Sequence, residues 1–175
     1  QFLNASDNHI TLFPQLSSSF CNLATLILSH NQVSSSALPG SPSLVCQRNV
    51  LDLSFNQISN LFLSSQMLQW FNPERVLLSN NRLGGVFNPD PYQQYRLNSI
   101  DLSGTGVAFV LFDLLLIGFQ CAGNFLTGIS TGWIRAQFRS SSGSVDLSNN
   151  SALVFPSEQL GYLNSSSLDS RTNLL

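Results

Sequence analysis

A short pattern of apolar residues and asparagine recurs along the chain, and this recurrence constrains the fold more than any other feature. The fullest copy runs Leu-x-x-Leu-x-Leu-x-x-Asn-x-Val from Leu23 to Val33. The ninth position of the copies falls at residues 8, 31, 56, 81, 105, 124, 150 and 173, with spacings of 23, 25, 25, 24, 19, 26 and 23. Periods of roughly 20 to 50 residues are typical of solenoids, in which each repeat packs on its neighbours. The sequence therefore predicts one domain of about eight coils over residues 1–175.

Positions four and six of the copies are apolar and lie two residues apart. Leu26 with Leu28 and Leu51 with Leu53 are examples. On a β-strand, residues two apart point to the same face, so each copy predicts a short strand with these pairs in the core. Position eleven is also apolar, from Val33 to Ala152.

The ninth position is asparagine in seven of the eight copies. An asparagine amide can hydrogen-bond the backbone where each strand turns away, so stacked coils would form a ladder of satisfied polar groups. The ladder residues are Asn8, Asn31, Asn56, Asn81, Asn124, Asn150 and Asn173. Thr105 interrupts the ladder just before the 19-residue spacing, which predicts the most irregular coil between Thr105 and Asn124.

The repeated pattern resembles the leucine-rich-repeat family over essentially the whole chain. The segments 81–87 and 124–129 are similar to the Asn-x-Leu-x-Gly-x-Ile variant that is common in plant-type repeats. The resemblance implies an α/β-type solenoid: a right-handed coil with one short parallel β-strand per repeat and a mostly irregular or 3-10 convex side. Phe13, Phe62, Phe87 and Phe155 follow the ladder positions and are expected to fill the convex half of the core.

Charge and hydropathy argue against nucleic-acid and membrane partners. Only 9% of residues are charged, the net charge is −2, and the basic residues are seven scattered arginines. Nucleic-acid binding and polybasic membrane contacts both need clustered positive charge. The longest apolar run, 107–119, contains Asp113 and is shorter than the roughly 20 residues of a membrane-spanning helix. This run is predicted to be core.

No residue constellation indicates catalysis or a cofactor. His9 and His30 have no cysteine or carboxylate at metal-ligand spacing. The glycines at 104 and 106 lack the third glycine of a dinucleotide loop and predict a turn. We therefore expect a protein that is not an enzyme and holds no cofactor or metal.

The cysteines bear on the redox compartment. Cys21 and Cys46 each lie ten residues before a ladder asparagine, so they occupy equivalent sites on adjacent coils. Adjacent strands are roughly 4.8 Å apart, which is within the range for a disulfide. The spacing predicts a Cys21–Cys46 disulfide, with two buried thiols as the alternative. Cys121 stands at core position six and is predicted to be an inert buried thiol.

Three Asn-x-Ser sequons, at Asn4, Asn149 and Asn164, are candidate N-glycosylation sites. The Ser-rich surroundings of Asn164 make it the first candidate. The predicted disulfide indicates an oxidising compartment and hence an extracellular or cell-surface location, and glycosylation of these sites is expected because of that location.

The outward-facing strand positions predict the concave surface. Position five contributes Asp52, Asp101 and Asp146, and position seven contributes Ser29, Ser54, Ser79, Ser103 and Ser148. This polar, weakly acidic surface contains few aromatic residues and lacks the tryptophan, tyrosine and arginine anchors of a tight protein interface. It therefore fits a low-affinity protein or glycan ligand, and an ordinary solvated strand face is the alternative.

Two functions remain open. The family resemblance implies an interaction module that binds through its concave face. The alternative is a structural subunit of an extracellular filament or cell wall, in which coil ends such as those at Leu3 and Leu175 associate end to end. The chain is accordingly expected to be part of a longer array or of such an assembly, and electron microscopy of native material would separate the two.

Overall fold

The structure, a computed structural model, describes residues 1–13, 23–34, 48–59, 72–88, 97–111, 116–129 and 144–154, and the backbone of 168–169. The described residues form strands, bends and turns, and none of them is helical. Among them, therefore, no helix is long and apolar enough to cross a membrane.

The first sheet has eight strands, and every neighbouring pair is parallel. Its strands are β1 (Phe2–Asn4), β2 (Thr25–Ile27), β3 (Arg48–Asp52), β4 (Pro73–Leu77), β6 (Ser99–Asp101), β8 (Gly118–Gln120), β10 (Ser144–Asp146) and β11 (Leu168–Asp169), in that spatial order. Because each strand pairs in parallel with the next one along the chain, the backbone completes one turn between them. The chain is thus a parallel β-solenoid with one first-sheet strand per repeat, as the repeat predicts.

The core lies where the alternation places it. The pairs Leu26 with Leu28, Leu51 with Leu53, and Val76 with Leu78 are all buried and face the inside of the coil. The apolar run 107–119 contributes Val107, Val110, Leu116 and Phe119 to the same core. The prediction that the run is core is wrong for Leu111 and Ile117, which are exposed. Phe13 and Phe87 are also buried, whereas Phe62 and Phe155 lie outside the described residues.

The seventh copy departs from the repeat by a single residue. Ala152 was counted as position eleven of the seventh copy, but Ala152 is exposed and Leu153 is buried. The Leu153 N–H donates to the Asn150 carbonyl at 2.9 Å and closes a turn after the ladder residue. That turn adds one residue before the chain re-enters the core.

A second parallel sheet differs from the expected convex side. Its strands are β5 (Val86–Phe87), β7 (Phe109–Val110) and β9 (Gly128–Ile129), paired in that order. The expectation of a mostly irregular or 3-10 convex side is therefore wrong for these three coils. The coil between Thr105 and Asn124 was expected to be the most irregular one, but it contains β7, which pairs on both sides; its residues 112–115 lie outside the described part.

The two plant-type segments enter this second sheet in different registers. β5 begins five residues after Asn81, whereas β9 begins four residues after Asn124. Gly128 is therefore the first residue of its strand and pairs with Phe109. A Cβ on Gly128 would collide with the Phe109 ring, so the glycine makes room for a neighbouring aromatic side chain.

Position one holds a residue that the repeat does not predict. Leu23, Pro73, Leu97 and Leu116 are buried at this position, and Arg48 replaces them in the third coil with no exposed surface. Its Nη1 donates to the Leu23 carbonyl at 3.1 Å. Burial lowers the pKa of the Arg48 guanidinium.

Candidate functional site

The outer face of the first sheet is built from side chains in straight columns. The Cα register pairs position five of each coil with position five of the next. The column reads Asn4, Ile27, Asp52, Leu77, Asp101, Gln120, Asp146 and Asp169. The structure therefore brings the three predicted aspartates Asp52, Asp101 and Asp146 onto one face.

Each of these aspartates also holds the turn that follows its strand. One carboxylate oxygen accepts the backbone N–H two residues later, from Ser54 at 3.0 Å, Ser103 at 2.9 Å and Ser148 at 2.9 Å. The Ser54 hydroxyl donates to Asp52 as well, at 2.7 Å. Such local bonds are typical of Asx turns, so part of the acidic column is structural.

The predicted serine column contributes little exposed surface. Ser29, Ser54 and Ser148 are buried, and Ser79 and Ser103 are half-buried. Simple alternation would turn these side chains outward, but the chain already bends at position seven and tucks them into the turn. The surface role predicted for Ser29, Ser54 and Ser148 is therefore wrong.

The asparagine ladder forms as a set of bridges between coils. Asn56 shows the pattern: its Oδ1 accepts the Val33 N–H at 2.9 Å, and its Nδ2 donates to the Leu28 carbonyl at 2.9 Å, both in the preceding coil. Equivalent bridges join each of the other buried ladder residues to its preceding coil, at Asn31, Asn81, Asn124 and Asn150. Asn8 is exposed and bonds only within its own coil, and Asn173 lies outside the described residues.

Thr105 leaves one rung of this ladder incomplete. Its hydroxyl donates to the Leu102 carbonyl of its own coil at 2.6 Å. The other ladder residues bond the carbonyl of position six and the N–H of position eleven in the preceding coil. In the coil before Thr105 these groups belong to Leu78 and Leu83, and threonine carries no amide that could bond both. The coils on either side of this rung are joined by backbone bonds such as Gly84 N–H to Thr105 carbonyl at 3.0 Å.

We expect Thr105→Asn to stabilise the protein. An asparagine could accept from the Leu83 N–H and donate to the Leu78 carbonyl, which should raise the free energy of unfolding by about 1 kcal/mol. Urea unfolding monitored by circular dichroism measures the change. Thr105→Val, which removes the hydroxyl and supplies no amide, should lower stability, and a Thr105→Asn protein no more stable than the parent would contradict the expectation.

Position eight has an unusual backbone in seven consecutive coils. Asp7, His30, Phe55, Asn80, Gly104, Gly123 and Asn149 all have φ between 53° and 64°. This left-handed region suits glycine, asparagine, aspartate and histidine, but it is rare for a bulky residue. The row extends the sheet, because N–H groups such as those of His30 and Phe55 donate to the next coil.

Phe55 is the outlier of this row. A left-handed conformation costs such a residue roughly 1–2 kcal/mol. Its ring nevertheless remains 45% exposed and stacks on the His30 ring, with centroids 4.1 Å apart and an angle of 11° between the planes. A stacked aromatic pair contributes roughly 0.5–1.5 kcal/mol, so the stack offsets part of the backbone cost. The repeat pattern did not single out this pair.

Side chains at position three complete the outer face. Only positions five and seven were predicted from the sequence to lie on this face. The column reads Phe2, Thr25, Val50, Arg75, Ser99, Gly118 and Ser144 in register. Arg75 and Ser144 are exposed, whereas Val50 and Ser99 are half-buried. The sequence did contain a signal for this column, because Arg75 is a charged residue at an outward-facing strand position in a chain with only seven basic residues.

Cys121 lies beneath the acidic column as a buried free thiol. Burial raises its pKa to about 12, a hydrogen bond from Asn124 to the sulfur at 3.2 Å acts in the opposite direction, and the negative charges of Asp101 and Asp146 raise it further. The thiol is therefore protonated and unreactive at neutral pH, as predicted from its core position.

This thiol predicts a loss of stability at alkaline pH. An unfolded thiol loses its proton near pH 9.0, whereas the folded one keeps it to about pH 12, so the folded state binds more protons between these values. Stability should fall as pH rises through this window, by about 2 kcal/mol at pH 10.5. Urea unfolding at pH 8 and pH 10.5, with Cys121→Ala as control, isolates this contribution. An equal loss in the control would show that the thiol is not responsible.

The remaining predicted sites are distributed as follows. Asn4 and Asn149 are exposed, and the Asn4 side chain accepts the Ser6 N–H within its sequon at 2.9 Å. Cys21, Cys46 and Asn164 lie outside the described residues, so the disulfide and the first-ranked glycosylation site stay predictions.

In the described part of the chain, no three histidine, cysteine or acidic side chains are grouped as metal ligands. Gly104 and Gly106 form a turn, as predicted.

The fold and the outer face together define a parallel β-solenoid whose first sheet carries side chains in register on its outer face. No family model, curated protein or solved structure matches the chain.

Proposed function

We propose that this protein is a non-catalytic, extracellular leucine-rich-repeat module that binds a protein or glycan through the outer face of its first sheet. The observation that carries the proposal is the register of that sheet. Seven strands with described side chains place positions three and five in continuous columns, and position eight adds a third exposed row. Such a rigid, extended surface is what solenoids use for binding.

The leucine-rich-repeat assignment is part of the proposal and rests on the repeat itself. The short parallel strand, the buried pair at positions four and six, and the asparagine bridge recur together in the coils of β2, β3, β4, β8 and β10. The plant-type variant is supported by β5 and β9, which are the last two residues of the two segments that resemble it.

The proposal is tested by adding bulk and charge to the face. Thr25→Arg with Gln120→Arg changes one half-buried and one exposed residue of the position-three and position-five columns, one in each half of the first sheet. Gln57→Arg with Ser151→Arg makes the same change at exposed residues beyond the ladder and serves as the matched control. Each protein is immobilised and exposed to a panel of defined oligosaccharides and to a displayed random peptide library.

We expect the parent and the control pair to bind the same probes, and the face pair to lose them. Equal binding by both pairs would place the ligand elsewhere on the solenoid. If the parent bound neither the oligosaccharides nor the peptides, the proposed binding function would be contradicted.

A further inference from the structure

The outer face changes character along the solenoid axis. On β2, β3 and β4 it carries the aliphatic side chains Ile27, Val50 and Leu77, all half-buried, and the exposed Arg75. The half-buried Asp52 lies between Ile27 and Leu77 in the position-five column. On β6, β8 and β10 the positions that match Arg75 hold only Ser99, Gly118 and Ser144. We use the name β2–β4 patch for Ile27, His30, Val50, Phe55, Arg75 and Leu77.

Arg75 lies at the β4 edge of the patch, beside two of these aliphatic side chains, and its guanidinium is exposed. Val50 is its cross-strand partner and Leu77 follows it on the same face. The carboxylates of Asp52 and Glu74 are half-buried nearby, but Arg75 forms no ion pair with any described residue. One Asp52 oxygen is already engaged by Ser54. A guanidinium in this setting is suited to bind an incoming carboxylate through paired hydrogen bonds.

Phe55 supplies an independent indication of binding. The fold does not require an aromatic ring at position eight, because Asn80 and Gly104 adopt the same left-handed backbone in the next two coils. Phe55 holds this costly conformation while its ring remains exposed on the His30 ring. Strained residues of this kind concentrate at functional sites, and exposed aromatic and arginine side chains dominate protein-binding surfaces.

We propose that the β2–β4 patch binds a protein segment in which an acidic residue lies beside an apolar one. The acidic residue pairs with Arg75, and the apolar residue packs on Phe55 and the aliphatic side chains of the patch. This inference rests on the proposed binding function and names its partner class. A peptide is favoured over a glycan because aliphatic side chains offer a glycan's hydroxyl groups no hydrogen-bond partners, whereas they match apolar side chains.

The test selects peptides on the full 175-residue chain from a phage-displayed random dodecapeptide library. The selected peptides are then synthesised, and their Kd is measured by fluorescence anisotropy. We expect sequences with aspartate or glutamate next to an apolar residue. Arg75→Gln and Phe55→Asn should each raise the Kd by about tenfold or more, as for residues at the centre of an interface. Asparagine is chosen at position 55 because Asn80 shows that it accepts the same backbone.

Two matched variants remove the same groups outside the patch. Arg82→Gln deletes an exposed arginine, and Phe125→Asn deletes a phenylalanine that is 73% exposed, both at position ten beyond the ladder. These should leave the Kd within about twofold of the parent, and circular dichroism should show all four variants folded.

The inference is overturned by any of three results. Selected peptides that are insensitive to both Arg75→Gln and Phe55→Asn would place binding elsewhere and leave the binding function standing. Oligosaccharide binding that these two variants abolish would assign the patch to glycans. Failure to select any peptide, while oligosaccharides bind the parent, would remove the peptide partner but not the binding module.

Discussion

Asn56→Ala should lower the free energy of unfolding by about 3–5 kcal/mol, because it removes a bridge between two buried coils. The Asn56 side chain is buried and bonds the Val33 N–H and the Leu28 carbonyl in the preceding coil, and the Leu53 carbonyl in its own. Alanine would leave these groups inside the protein without their partner. Urea unfolding monitored by circular dichroism provides the measurement.

Asn8→Ala is the matched control for this loss. Asn8 occupies the same motif position, but it is exposed and bonds only Ala5 and Ser6 of its own coil. Water can replace these bonds, so the control should lose less than about 1 kcal/mol. If the two variants were equally stable, the inter-coil bridges would contribute nothing measurable.

Phe119→Ala should destabilise the protein by a similar amount, about 3–5 kcal/mol. Phe119 lies on β8 at motif position four and has no exposed surface. It pairs with Ile100 and Val145 on the two neighbouring strands. Truncation would leave a cavity in the core. Phe119 belongs to the copy that follows the shortest spacing in the chain, the 19 residues between Thr105 and Asn124. The denaturant midpoint and slope of unfolding report the loss.

The control for this cavity lies two residues away on the same coil. Ile117 is 57% exposed, so Ile117→Ala removes little buried surface and should cost less than about 1 kcal/mol. A tolerated Phe119→Ala change would mean that the core collapses around position 119, and the packing described for β8 would then be wrong.

The sequence predicted the part of the fold that repeats. Leu51 and Leu53 are two residues apart on a strand, and Asn56 follows Leu53 by the same three residues as in the other copies. Both the buried face and the ladder could therefore be recognised from the sequence alone. The second sheet could not be predicted in this way. Its strands are two residues long, and an alternation such as Val86 outward and Phe87 inward carries no periodic signal at that length.

The candidate site was predicted less completely, for two physical reasons. Ser54 and Ser148 follow the strand pattern outward, yet the turn at position seven buries them, which alternation alone does not reveal. The position-eight row was detectable, since Asp7, Asn80 and Gly104 are residue types that favour a left-handed backbone. Phe55 conceals that signal because its side chain disfavours the conformation that it adopts.

The register of the first sheet tests the account most directly, and paired cysteines can measure it. Asp101 and Gln120 are Cα partners on β6 and β8 although they lie 19 residues apart in sequence. Parallel neighbours are roughly 4.8 Å apart, so Asp101→Cys with Gln120→Cys should form a disulfide on mild oxidation, identified by peptide mapping of the unreduced protein.

Asp101→Cys with Asp146→Cys is the matched pair, with the same motif position and face but with β8 between the two strands. The separation is then about two strand spacings, roughly 9.5 Å, which is too long for a disulfide. Cross-linking of the 101–120 pair alone is the predicted result. A bridge between positions 101 and 146, or none between 101 and 120, would contradict the stacking of coils on which the proposed binding face depends.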